Sequence, residues 1–330
     1  MGIERLHPFD TKKWSRVFRF LVDAGMLKGA ADIFEPDIVP EAILKEVHTE
    51  QYLNSLKSSA VIASIAELSE LSAAPNCLIQ KYLLIPMKYH VGGTILATEV
   101  ALERGWAINI GGGFHHCSRS QGSGYCFYAD ITIAILEARK KRRGLKVLIV
   151  DLDAHQGNGH ERDFIHDSEV KIMDVYNGDI YPLDEEAKRG ITFDYPLRSG
   201  TSDKDYLKVV QSGLEQAFFN EYDLVFYNAG TDCMAGDLQG ELEITPTGIV
   251  KRDELVFEAA VKRHTPIVLV TSGGYTSDSA RVIADSILNL HKKRLITPNK
   301  RSSGTDRSAA NMSVVKKQNE ESDFSKRPSS

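Results

Sequence analysis

Close cysteine pairs are missing from this sequence. Its four cysteines, Cys77, Cys117, Cys126 and Cys233, are widely spaced and form no C-x-x-C pair. That excludes a zinc ribbon and a disulfide framework and leaves the reading of reduced thiols in an intracellular protein, nuclear or cytoplasmic. Long apolar runs are also missing: none approaches the ~18 residues that a membrane span needs. The N-terminus carries charge within its first five residues, at Glu4 and Arg5, with no apolar signal-peptide core behind them. Leu6 stands where a myristoylation signal after Met1-Gly2 wants serine or threonine. Nor is there an excess of positive charge, the formal net charge being -5. A chain gripping nucleic acid through its whole body would carry the opposite sign. What is present suffices for a large core, with 42% hydrophobic and 26% charged residues.

The first hundred residues read as helices. Trp14, Val17, Phe18 and Leu21 recur at helical spacing after a possible Asp10 or Thr11 cap, and Gly25 stops the run. His7, in the His7-Pro8 turn, is read as structural. Further helical patterns fall at residues 60–71 and 93–104. From Trp106 the pattern changes. Short apolar runs at 107–110, 147–150, 170–175, 224–227 and 267–270 alternate with helical segments near 130–143, 203–219 and 248–263, which predicts a parallel sheet with crossover helices. Beyond Thr297 the residues are nearly all polar, so 297–330 is expected to be a disordered tail following a folded domain over 1–296. Its seven Lys or Arg include three adjacent pairs, at 300–301, 316–317 and 326–327, a weak nuclear import signal at most.

Chemistry-bearing residues follow the expected strands, where an open α/β sheet places its ligands. After 147–150 comes Asp151-Leu-Asp153-Ala-His155-Gln-Gly-Asn158-Gly-His160. Asp153 and His155, two apart in extended chain, point to one side and make half of a zinc or iron site. Asp232, in the loop after 224–227, would complete three ligands. Gly111-Gly-Gly-Phe-His115-His116 followed by Gly122-Ser-Gly124-Tyr125 puts adjacent histidines on a glycine-rich turn, where neighbouring side chains should diverge and each needs its own partner. Tyr275, after Gly273-Gly274, presents a hydroxyl that the backbone can swing towards a ligand.

Together these residues resemble the histone deacetylase family, and its class IV branch most closely. The similarity runs from Leu6-His7-Pro8-Phe9-Asp10 through His48-Thr49, Gly105-Trp106-Ala107-Ile108-Asn109 and the loops above to the segment at 280–287. It implies a single three-layer α/β/α domain of the arginase/deacetylase fold with a mainly parallel sheet, a zinc ion, and hydrolysis of acylated lysine in proteins such as histones. It further implies zinc on Asp153, His155 and Asp232, with His116 as general base and acid, and His115 oriented by buried Asp151 in an electrostatic role. Tyr275 would donate to the oxyanion, and Gly124, Tyr125 and Tyr181 would line a tunnel for the lysine stem. A potassium ion beside the Asp151–His155 backbone and corepressor partners are implied as well.

Three features depart from the family pattern. Asn158 replaces a common aspartate beside the base histidine, and an amide cannot raise that histidine's pKa as a carboxylate would. Gln156 replaces a common histidine. No strand precedes the His-Pro turn, which would leave a sheet edge exposed. Three other readings compete: a long-chain fatty-acyl-lysine hydrolase, a non-catalytic acyl-lysine-binding subunit, and a two-manganese ureohydrolase. The last wants further aspartates where Gly157 and Gly230 stand.

Overall fold

The computed structural model describes residues 12–27 and 33–297. The His-Pro turn with His7, the Asp10 or Thr11 cap and residues 298–330 of the expected tail lie outside the described residues. Six strands form one all-parallel sheet: β1 Trp106–Asn109, β2 Val147–Asp151, β3 Val170–Asn177, β4 Phe193–Leu197, β5 Leu224–Asn228 and β6 Ile267–Val270. Their order across the sheet is β1-β6-β5-β2-β3-β4. The edge strand β4 is not among the expected five. Its Phe-Asp-Tyr-Pro-Leu alternates half-buried with exposed residues, and Pro196 is tolerated because β4 pairs on one side only, with β3.

Eleven helices are described: α1 Lys13–Asp23, α2 Glu41–Val47, α3 Glu50–Ser55, α4 Ser59–Ile65, α5 Asn76–Ile79, α6 Ile85–Arg104, α7 Asp130–Lys141, α8 Asn158–Phe164, α9 Asp203–Ala217, α10 Pro246–Lys262 and α11 Ser279–Lys292. Two were read differently from sequence. The pattern at 93–104 is only the second part of α6, which already begins at Ile85, so that Gly92 and Gly93 both lie inside it. A Cβ on Gly92 would stand 2.0 Å from the Asp37 carbonyl, so the missing side chain makes room for the segment crossing the helix. The pattern at 60–71 is broken at Glu67, which turns with φ 55° before a short 3-10 turn over Ser69–Ala73.

Alternate strand residues divide the core in two. Leu148, Val150, Val225, Tyr227 and Leu269 pack under α1, α9, α10 and α11, whereas Val147, Ile149, Phe226 and Val268 pack under α6 and α7. This gives the three layers. A third cluster joins α2 to α5 with the loop that carries Phe114 and Phe127. No described helix is long and apolar enough to cross a membrane.

The strand order fixes where a ligand can bind. After β2 the chain winds outward through β3 to β4, then returns to lay β5 on the other side of β2. The crevice between the carboxyl ends of β2 and β5 is therefore the switch point at which open α/β sheets hold ligands.

His48 ties the satellite helices to this frame. Its Nε2 accepts the Ala129 N–H at 3.2 Å, so Nδ1 carries the proton and donates to the Arg119 carbonyl at 3.2 Å. Burial pushes its pKa down to about 4 from 6.5. The stabilisation is thus present above pH 6.5 and lost as the pH falls towards 4. His48→Asn should lower stability at pH 7.5, yet lose about 2 kcal/mol less than the parent between pH 7.5 and 5, as measured by urea denaturation at the two pH values.

Candidate metal centre and active site

The β2–β5 ladder ends with Asp151 opposite Asn228, and the Leu152 N–H donates to the Asn228 carbonyl at 3.0 Å as its last rung. Beyond it the loops are held by their own carboxylates. Asp153 Oδ1 accepts the His155 N–H at 3.0 Å, Asp153 Oδ2 accepts the Gly273 N–H at 3.0 Å, and Asp232 Oδ1 accepts the Ala154 N–H at 2.8 Å. These bonds bring Asp153, His155 and Asp232 together, with one ligand atom of each within 4.8 Å of the others and all three side chains buried. His155 Nδ1 lies 3.2 Å from Asp153 Oδ1 and 3.0 Å from Asp232 Oδ2.

The donor set fits a divalent cation. Burial, and then the charge of Asp153, push the Asp232 carboxyl up to about 7. On His155, burial opposes the charge, but both carboxylates outweigh it and hold the imidazole pKa well above 6.5. A proton between His155 and two crowded carboxylates thus occupies the space that a metal ion would take. Two glycines make that crowding feasible. A Cβ on Gly230 would stand 2.0 Å from Asp153 Oδ2, and one on Gly273 would stand 2.3 Å from Asp232 Oδ2. An aspartate at 230, as a two-metal site wants, has no room here.

Contrary to expectation, the tandem histidines do not diverge: their rings lie 4.1 Å apart, tilted by 46°. Each does have its own partner, one a carboxylate and the other an amide. His115 Nδ1 sits 2.9 Å from Asp151 Oδ2, and His116 Nδ1 sits 2.8 Å from Asn158 Oδ1. Burial lowers the His115 pKa, but the charges of Asp151 and Asp153 prevail and raise it to about 9. On His116 burial and the charge of His115 act together and hold it well below 6.5.

Gly157 and Gly159 also serve a purpose other than free turning. Neither has a positive φ, and Gly159 lies within α8. A Cβ on Gly159 would meet the Cys117 carbonyl at 2.4 Å, so α8 can press against the histidine loop.

Gly124, Tyr125, His115, His116, Asp153 and Tyr275 line one cavity. Gly124 turns with φ 53°, and a Cβ there would stand 2.5 Å from His116 Cδ2. The Tyr181 ring, partly exposed, packs edge-on 5.1 Å from His116 and 6.4 Å from His155. Tyr275 is anchored through its N–H, which donates to Asp237 Oδ2 at 2.8 Å.

Two residues at the site, Asp184 and Lys13, escaped the sequence reading, and a third, His160, ended the motif there without a role. His160 Nε2 shares Asp151 Oδ2 at 2.8 Å. Asp184 accepts from Asn158 Nδ2 at 3.2 Å and is itself gripped by the Arg162 guanidinium. Lys13, fully buried on α1, donates to the carbonyls of Ser272 and Gly273 at 2.7 and 2.8 Å, just before Tyr275. Spacing held a clue to Lys13, which with Val17 and Leu21 forms the inward stripe of α1, while Phe18 faces out. Its charge argued against that place.

Six parallel strands between helical layers, with polar groups gathered at the carboxyl ends around the switch point, define the arginase/deacetylase type of α/β fold. The solved HDA15 HD domain shares this fold, with a TM-score of 0.68 at 22% identity over 88% of this chain and 83% of that one. Residues 7–291 match the histone deacetylase domain. Over 297 residues the chain is 52% identical to Histone deacetylase 2 of Arabidopsis thaliana, covering 90% of this chain and 76% of that protein. It is 25% identical to human Histone deacetylase 1 over 82% of this chain and 58% of that protein. The chain belongs to the histone deacetylase family and is a deacetylase hydrolase. These matches establish the family and do not show the class IV branch.

Because the space at Gly230 is taken by Asp153, Gly230→Ala should displace that carboxylate. The expected result is a zinc content below one tenth of the parent's after dialysis against limiting zinc, read by atomic absorption, with the fold retained by circular dichroism.

Proposed function

We propose that this protein removes the acyl group from acyl-lysine side chains of proteins, histones among them, at a single zinc ion held by Asp153, His155 and Asp232. The observation that carries this reading is the convergence of those three groups beside one cavity that His116 and Tyr275 also line. Zinc, when bound, supplies Lewis acidity to the amide carbonyl and eases loss of a proton from water. The remaining work falls to the chain.

His116, kept neutral by burial and by the neighbouring charge on His115, takes a proton at Nε2 because its Nδ1 faces Asn158. The same nitrogen then returns the proton to the departing lysine amine. His115, charged through Asp151, contributes a fixed positive field. The Tyr275 hydroxyl donates to the carbonyl oxygen as negative charge develops there, a contact that gains most in the transition state. Tyr125 and Tyr181 sheathe the methylene stem of the lysine, and Gly124 leaves the passage open beside His116.

A potassium ion beside the Asp151–His155 backbone follows from the resemblance, and it would share the carbonyls of Leu152 and Ala154 with Arg252 and the Asn177 N–H. Corepressor proteins remain partners by resemblance alone. The branch within the family rests on Gln156 and Asn158, and the deacetylase reading does not depend on it. A full complement of base, oxyanion donor and ligands weighs against a non-catalytic acyl-lysine binder.

Turnover of an acetyl-lysine peptide, lost with a chelator and restored by zinc, tests the reading as a whole. Tyr275→Phe should keep its zinc and lose turnover by about 100-fold or more, the scale of a lost oxyanion donor. His155→Ala should lose the metal itself. A Tyr275→Phe protein as active as its parent would remove the oxyanion role.

Asn158→Asp should place a carboxylate on His116 Nδ1 and raise its pKa. The base is active only when neutral, so the acid limb of the kcat/KM profile should move to higher pH by about one unit or more. An unmoved limb would separate that limb from His116.

A further inference from the structure

Arg252 is a fully buried side chain on α10 that reaches the underside of both ligand-bearing loops. Its Nη1 donates to the Gly230 carbonyl at 2.6 Å and the Leu152 carbonyl at 3.1 Å, with Cys233 Sγ at 3.3 Å; its Nη2 donates to the Ala229 carbonyl at 3.3 Å. Leu152 immediately precedes Asp153, while Ala229, Gly230 and Cys233 bracket Asp232. One planar group is therefore bonded to both segments that supply the three ligands. The geometry matters because the β2–β5 ladder stops at Asp151 and Asn228, leaving the loops beyond it without strand pairing. The guanidinium takes over where the ladder ends.

The group itself is fixed from behind. Nε donates to Asp253 Oδ1 at 2.8 Å, and Asp253 also accepts from the hydroxyls of Tyr227 and Ser286, each at 2.5 Å. We infer that Arg252 is a positioning residue for the metal centre: its fork of donors sets the distance between the β2 loop and the β5 loop, and so between Asp232 and the pair Asp153 and His155. A lysine cannot reproduce this, because one ammonium lacks the planar fork that spans several carbonyls. The inference rests on the zinc reading above, and its test keeps the two separable.

The experiment measures the zinc dissociation constant by chelator competition and the visible absorption of the cobalt-substituted protein, which reports ligand geometry without turnover. Arg252→Met is paired with Asp253→Asn so that no lone charge stays buried, and Arg252→Lys keeps both the charge and the stem. The double variant should bind zinc at least tenfold more weakly with an altered cobalt spectrum, and Arg252→Lys should fall between it and the parent. Zinc affinity and cobalt spectrum equal to the parent's in either folded variant would overturn the inference. So would failure of both variants to fold with zinc present, since a group needed for the whole fold is not a positioning device. A parent protein that binds no zinc would instead overturn the reading on which this one rests.

Discussion

Three carboxylates, Asp151, Asp153 and Asp232, are buried together at one crevice of the sheet, and most of the surrounding structure follows from the need to hold them there. Buried charge is tolerated only when paired and hydrogen-bonded. Here each oxygen meets a backbone N–H, an imidazole or the Asn228 amide, which donates to Asp151 Oδ1 at 3.0 Å. Two fully buried cations, Lys13 and Arg252, stand close by, bonded to carbonyls of the same loops. Burial, and then the charge of Asp153, raise the Asp232 carboxyl to about 7, the mark of carboxylates crowded at one point. The same demand explains the glycines at 230 and 273, whose missing side chains let the carboxylates approach.

Much of this was legible in the sequence because the chemistry sits at the ends of apolar runs. Five strands, the crossover helices α7, α9 and α10 and every residue of the proposed metal centre could be placed from the alternation of short and long periodic segments and the polar loops between them. Illegible parts share a physical cause. β4 escaped because an edge strand needs little apolar surface. α8 escaped because Asn158-Gly159-His160 has the composition of a loop, and only its packing against the Cys117 carbonyl makes a helix with glycine advantageous. Lys13 and Arg252 escaped because charge normally signals solvent. Their burial depends on carbonyls brought together from loops distant in sequence, which no local pattern reveals.

The substitution of an amide for a carboxylate at position 158 changes how charge is distributed, not how much polar contact the histidine has. Asn158 Oδ1 accepts from the His116 Nδ1–H, its Nδ2 donates to Asp184, and Asp184 is bound by Arg162. Negative charge therefore stands one link further from the imidazole and is already neutralised there. His115 meets its carboxylate directly. Two neighbouring rings 4.1 Å apart cannot both be protonated at little cost, and the asymmetry decides which one is. Environments that push paired groups apart in this way assign acid and base roles. The carboxylates raise His115, while burial and the His115 charge hold His116, which lines the cavity, well below 6.5. A carboxylate at 158 would blur that division, whereas the amide orients His116 as firmly while leaving its basicity to be set by burial and by the charge beside it.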